Sequence, residues 1–189
     1  MQVSKRYRYT EDYETIPYVG ANGRAKQKIR YIGKYVQIQN DEAEALKTLK
    51  LVRWLGIAAV ALAAVAMVIE HSASRSLYVA AIMMLNLFPL AYMIMGGVAF
   101  PRKIEPMERI KYAHSISRVE HSALGLLIIT AASIVGYVCF WIFEGEKYMI
   151  EDAIFSINTP IVSCISFFIF KKLKSLKTEL IPNDAVKKR

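Results

Sequence analysis

Cysteine is scarce in this sequence: two residues among 189, Cys139 and Cys164. Both fall in apolar runs, Cys139 roughly 6 Å from the end of its run at Phe143 and Cys164 roughly 16 Å from the start of its own at Ala153, at 1.5 Å per helical residue. That mismatch in depth excludes a bridge, which needs Cα atoms within about 7 Å. They read as buried thiols packing as small apolar groups. Catalytic signatures are missing as well. There is no GxxxxGK[ST], HExxH or GxSxG and no glycine-rich dinucleotide fingerprint. No metal set and no cofactor site is expected, and the chain does not read as an enzyme. A cleavable leader is not expected either, because mostly polar sequence precedes the first apolar run.

Charge is scarce in four long stretches, roughly 51–69, 76–100, 122–143 and 153–170, where Arg53 is the single charged residue. Each is close to the ~20 residues that cross a bilayer's hydrocarbon core as a helix. If all four cross, the intervening segments alternate sides. Every Lys and Arg except Arg75 and Lys147 then lies on the side that holds both termini. Basic residues concentrate in cytoplasmic loops, so both termini are expected in the cytoplasm, with the cell membrane as the site. The net charge of +9 then suits anionic lipid headgroups at the inner face better than nucleic acid. The expected fold is an all-α membrane protein: a four-helix transmembrane bundle of two helical hairpins, with a small N-terminal cytoplasmic β-rich module. The domains are 1–39 for the module, 40–181 for the bundle and 182–189 for a basic tail.

Residues 1–39 are rich in tyrosine and β-branched residues. Thr15–Val19 and Lys28–Ile38 flank Asn22-Gly23, which supplies the positive φ angles of a hairpin turn. Two or three strands alone are marginally stable, so the module is expected to lean on the membrane, the inner loops or a partner. Asn40 reads as the N-cap of the first long helix, with Asp41, Glu42 and Glu44 in its first turn. Pro106 reads as the start of the helix leading into span three. Lys171, Lys172, Lys174 and Lys177, alternating with Leu173, Leu176 and Leu180, read as a basic amphipathic extension of span four that ends at Pro182.

Three groups of residues are candidate sites. Gly56, Ala59, Ala63 and Ala66 recur at helical spacing as a close-packing seam in span one. Asn86 with Pro89, and Asn158 with Thr159 and Pro160, place a polar amide just before a helix-breaking proline in spans two and four. With Ser156 they could line a polar pocket or simply join helices, and their matching positions admit an internal repeat. The third group is cytoplasmic. Tyr7, Tyr9, Arg24, Arg30, Tyr31, Lys34 and Tyr35 interleave aromatic and basic character, while His114, Arg118 and His121 gather near the start of span three. The two histidines are two turns apart, too far to share one ion. These features predict a non-enzymatic accessory, scaffolding or regulatory subunit that meets anionic lipid and a protein partner or second copy. The alternative is a small transporter or channel with its polar site around Asn86 and Asn158.

Overall fold

A computed structural model describes residues 10–19, 25–69, 72–144 and 150–183. Tyr7, Tyr9, Arg24, the expected Asn22-Gly23 turn and the tail from residue 184 lie outside the described residues. The protein is mostly helical, with four helical segments long and apolar enough to cross a membrane: Glu42–Val68, Leu77–Val98, Arg109–Phe143 and Ile150–Lys174. Small antiparallel sheets complete it.

The first helix, α1 (Glu42–Val68), is capped by Asp41, whose carboxylate accepts from the amides of Ala43 and Glu44 at 3.2 and 3.3 Å. Asn40, the expected cap, is one residue too early. Its side-chain oxygen instead accepts the Lys177 amide at 2.8 Å, tying the entry of α1 to the exit of the last helix. The second span is broken into α2 (Leu77–Leu85) and α3 (Leu87–Val98) at Asn86. Pro89 has no N–H for the Leu85 carbonyl, so the ladder lapses there, and the Asn86 amide closes a tighter turn on the Met83 carbonyl at 3.0 Å. Span three comprises α4 (Arg109–Tyr112), a single π-helical turn (Ala113–Ser117) and α5 (Arg118–Glu144). Span four is α6 (Ile150–Lys174), which runs through Pro160 without a break. The two Asn-then-Pro segments therefore differ: one divides its helix and the other does not.

Around the bundle, α1 packs chiefly on α6, α6 on α5, and α5 on α2 and α3. At the loop end of spans one and two, Ala66, Ala73, Val79 and Met83 share a core with Tyr137, Phe140 and Phe155. Toward the other end α1 packs on α3, with Gly56 facing Met93.

At that other end sits a small β platform. β1 (Tyr13–Val19) and β2 (Ala25–Tyr31) form the expected hairpin, with Tyr13 opposite Tyr31 and Val19 opposite Ala25. The stretch read as one strand over Lys28–Ile38 is two. It breaks at Ile32 and Gly33, whose amides both donate to the Asp12 carbonyl at 2.8 and 3.1 Å. β3 (Tyr35–Ile38) is the central strand of a second sheet, between β4 (Met107–Glu108) and β5 (Thr178–Ile181), antiparallel to both. This corrects two expectations. Helix does not begin at Pro106, since Met107 and Glu108 pair with β3 first. Span four continues as a basic helix only through Lys171, Lys172 and Lys174, since it ends there and Leu180 falls in a strand instead. Both partners give β3 backbone hydrogen bonds that an isolated 1–39 module would lack. The sheet also places both chain ends at one end of the bundle. Ile38 and Leu176 join the main bundle core with Leu49, Phe100, Ile116 and Leu173, so platform and bundle share one packed interior.

Candidate functional site

The seam residues Gly56, Ala59, Ala63 and Ala66 are all buried. Ala63 and Ala66 face α6 beside Phe155, Thr159 and Val162, where small side chains let the two helices approach closely, while Gly56 faces Met93 of α3. The Asn158 amide donates to the Leu62 carbonyl at 2.7 Å. The seam thus serves contacts within the chain. Of the proposed polar pocket, Asn86 and Thr159 line a cavity of about 20 Å³ with Thr130, Ser133 and Phe155. That volume suits one water. Thr130 and Ser133 satisfy themselves by donating to the carbonyls of Leu126 and Ile129. Asn86 Oδ1, Asn158 Oδ1 and Thr159 Oγ1 are buried without a hydrogen-bond partner among the described residues. Ser156 turns away and donates to the Asp152 carbonyl at 2.6 Å. Pro89 is buried against α5, where a Cβ on Gly125 would meet it at 3.7 Å, and Pro160 is exposed.

Asp152 escaped the sequence reading. In sequence it stands beside Glu151 at the edge of the fourth apolar stretch, yet it is fully buried in the first turn of α6. Its carboxylate accepts from the Ser72 amide at 3.0 Å and the Ser72 hydroxyl at 2.6 Å, clamping the loop between the first two spans to α6. Its own carbonyl also accepts from Tyr137. Being a carboxylate just inside a long apolar helix was the available signal.

At the platform, the tyrosines build the base of the hairpin. Tyr31 is buried, with its ring edge-on to Tyr13 and Tyr35 at 5.1 and 5.0 Å between centroids. Its hydroxyl donates to the Lys34 carbonyl at 2.6 Å and accepts from the Arg109 amide at 3.2 Å. Asn183 donates to its backbone carbonyl. Tyr13 donates to Glu108 at 3.1 Å, and Arg109 pairs with Asp12 at 3.7 Å. Tyr31 and Tyr35, read from sequence as contact residues, therefore hold the hairpin to the span-three entry. Arg30 and Lys34 remain exposed.

Burial, then the neighbouring Glu108 carboxylate, pushes the Tyr13 phenol from 10.0 up to about 12. Burial raises Tyr31 too. Both shifts favour the neutral, folded form. The contribution of Tyr13 is complete below pH 10, the unfolded value, and is lost as pH rises toward 12. Protection factors in the hairpin, with the hydroxide-catalysed intrinsic rate divided out, are expected to fall over that window before the bundle melts, and Tyr13→Phe should blunt the pH response. Protection factors that stay flat from pH 9 to 12 would contradict this role for Tyr13.

His114, Arg118 and His121 lie along the π-helical turn and the start of α5. The Arg118 guanidinium donates to His114 Nδ1, which fixes that ring's proton on Nε2 when it is neutral. His121 Nδ1 lies 2.6 Å from the Ser117 carbonyl and therefore carries a proton. Arg118 also sits 5.4 Å from the ring centre of Tyr92, six residues inside the end of α3. Sequence position alone put this cation outside the apolar core. Its ring partner Tyr92 lies about 9 Å along α3 from that helix's end. Phe88, Tyr92, Arg118 and His121 line a shallow open depression there.

Among the described residues, no group of three or more His, Cys, Asp or Glu side chains is placed to hold a metal ion. Compared with known proteins, the chain matches no family model, no curated protein and no solved structure.

Proposed function

We propose that this chain is a non-enzymatic, multi-pass accessory or regulatory subunit of a larger membrane assembly. Both termini are cytoplasmic, and partners are engaged through the basic, tyrosine-rich platform. The observation that carries this reading is the β1–β2 hairpin. Its base is anchored by Tyr13 and Tyr31, but beyond that base Thr15, Pro17, Gln27 and Ile29 are uncovered, and Ile29 is 71% exposed. Thr15 and Ile29 oppose each other on the face that carries the tyrosine pair, while Glu14–Arg30 and Ile16–Lys28 form the opposite face. A two-stranded ribbon with an open apolar position and basic flanks gains stability from an added surface. The charge pattern supports a cytoplasmic position for that surface.

The test is purification in mild detergent with and without Ile29→Glu. The native protein is expected to carry a partner or a second copy. The variant should lose it about tenfold while its own melting is unchanged, because the site is exposed. A protein that is always monomeric and copurifies with nothing would sink this reading. The alternative of a transporter or channel draws on the unpaired oxygens of Asn86, Asn158 and Thr159. A cavity the size of one water gives it less support, since a larger solute would require α6 to separate from α1.

A further inference from the structure

Between α1 and α3 lies a groove of about 570 Å³, within the size range of ligand clefts. Its walls are apolar: Val52, Ile57 and Val60 from α1, and Met93, Ile94 and Val98 from α3. Gly56 and Gly97 keep it open, and a Cβ added at Gly97 would meet nothing within 4 Å. Arg53 is the single charged residue lining it. The guanidinium is held at the platform-side mouth, donating to the Phe100 carbonyl at 3.4 Å and lying 5.9 Å from the Phe100 ring centre. That one hydrogen bond leaves most of its five N–H donors available. Lys50, one turn earlier on α1, and Arg102 and Lys103, just past Phe100, are exposed beside it in sequence.

We propose that this groove is a binding site for one anionic phospholipid. An acyl chain lies along Gly56 and Gly97, and the phosphate sits on Arg53. Two observations favour a lipid over a helix of a second copy. The groove extends along α1 from Val52 to Ala61, about 14 Å at 1.5 Å per residue. That matches one leaflet of a hydrocarbon core of about 30 Å. A partner helix would run the full thickness, whereas the groove stops at Ala61. The second observation is polarity. The apolar channel ends in a cation at the platform side, as a single lipid's tail and headgroup require, and a guanidinium fork matches a phosphate.

The experiment is native mass spectrometry of the full chain in mild detergent, mixed with phosphatidylglycerol or phosphatidylcholine of equal chain length. One bound phosphatidylglycerol is expected, preferred about fivefold, the worth of one basic side chain near an anionic surface. Arg53→Gln should bring the two lipids level. Gly97→Leu, which fills open space, should remove bound lipid of both kinds without changing the melting temperature. Equal retention of both lipids by the native chain overturns the proposal. So does a dimer that Gly97→Leu dissolves, which would assign the groove to a second copy. None of these readouts involves the hairpin, so failure here is separable from failure of the accessory-subunit reading.

Discussion

Asp152→Ala is expected to be among the most damaging single substitutions, costing about 4 kcal/mol and lowering the melting temperature by roughly 10 °C. The carboxylate is fully buried and receives both the amide and the hydroxyl of Ser72, itself buried. Alanine strands two donors where water cannot replace the acceptor, and each stranded group costs about 1–3 kcal/mol. It also removes a negative charge from the positive end of the α6 dipole. Asp152→Asn keeps one acceptor oxygen, and the Ser72 hydroxyl can rotate to accept from the new amide. Its cost should be less than half that of alanine. Thermal unfolding of both variants in the same detergent checks the order. A loss below about 1 kcal/mol for alanine would show that the clamp does not hold the first loop.

Gly96→Ala should be costly where Gly97→Ala is neutral. A Cβ at Gly96 would lie 2.6 Å from Val119 Cγ2 and 3.0 Å from the Ser115 carbonyl oxygen, while one at Gly97 has open space. Val119 is β-branched and buried, with one favoured rotamer in a helix, so it cannot step aside. The Ser115 carbonyl belongs to the π-helical turn, whose extra residue widens the helix toward α3. Relief therefore means moving α3 off α5, at about 2–3 kcal/mol, the cost of overpacking a filled core. Leucine at 96 should block folding outright. If 96 and 97 tolerate alanine equally, the close approach of these helices is not a determinant of stability.

The spans were legible because each records its environment in every residue, and twenty apolar positions average over local exceptions. The β1–β2 hairpin was legible for a similar reason, through local turn chemistry at Asn22-Gly23 between β-prone runs. The second sheet was not. β4 has two residues and β5 four, too short to carry a period, and each becomes a strand only because β3 lies beside it. Lys174, Leu176 and Lys177 alternate as well in an amphipathic helix as before a strand. Among the candidate site residues, Asn158 was read as lining a pocket or joining helices, and no pattern named the Leu62 carbonyl to which it donates. Asp152 was hidden by neighbours. Beside Glu151 and a glutamate-containing loop it looked like surface, and burial depends on a fold that brings Ser72 to it.

The β4–β3–β5 sheet has a consequence for synthesis. β3 is made before any span, β4 after two, and β5 after all four; Ile181 lies 146 positions beyond its partner Tyr35. Until the last span has threaded, β3 waits with an open edge. A chain that fails to insert any one span delivers β5 to the opposite face of the bilayer, where no rearrangement short of reinsertion can bring it back. Closure of the sheet is thus a parity check on insertion. An unclosed β3 marks a mis-threaded copy with an exposed strand edge, the kind of surface that chaperones and proteases act on.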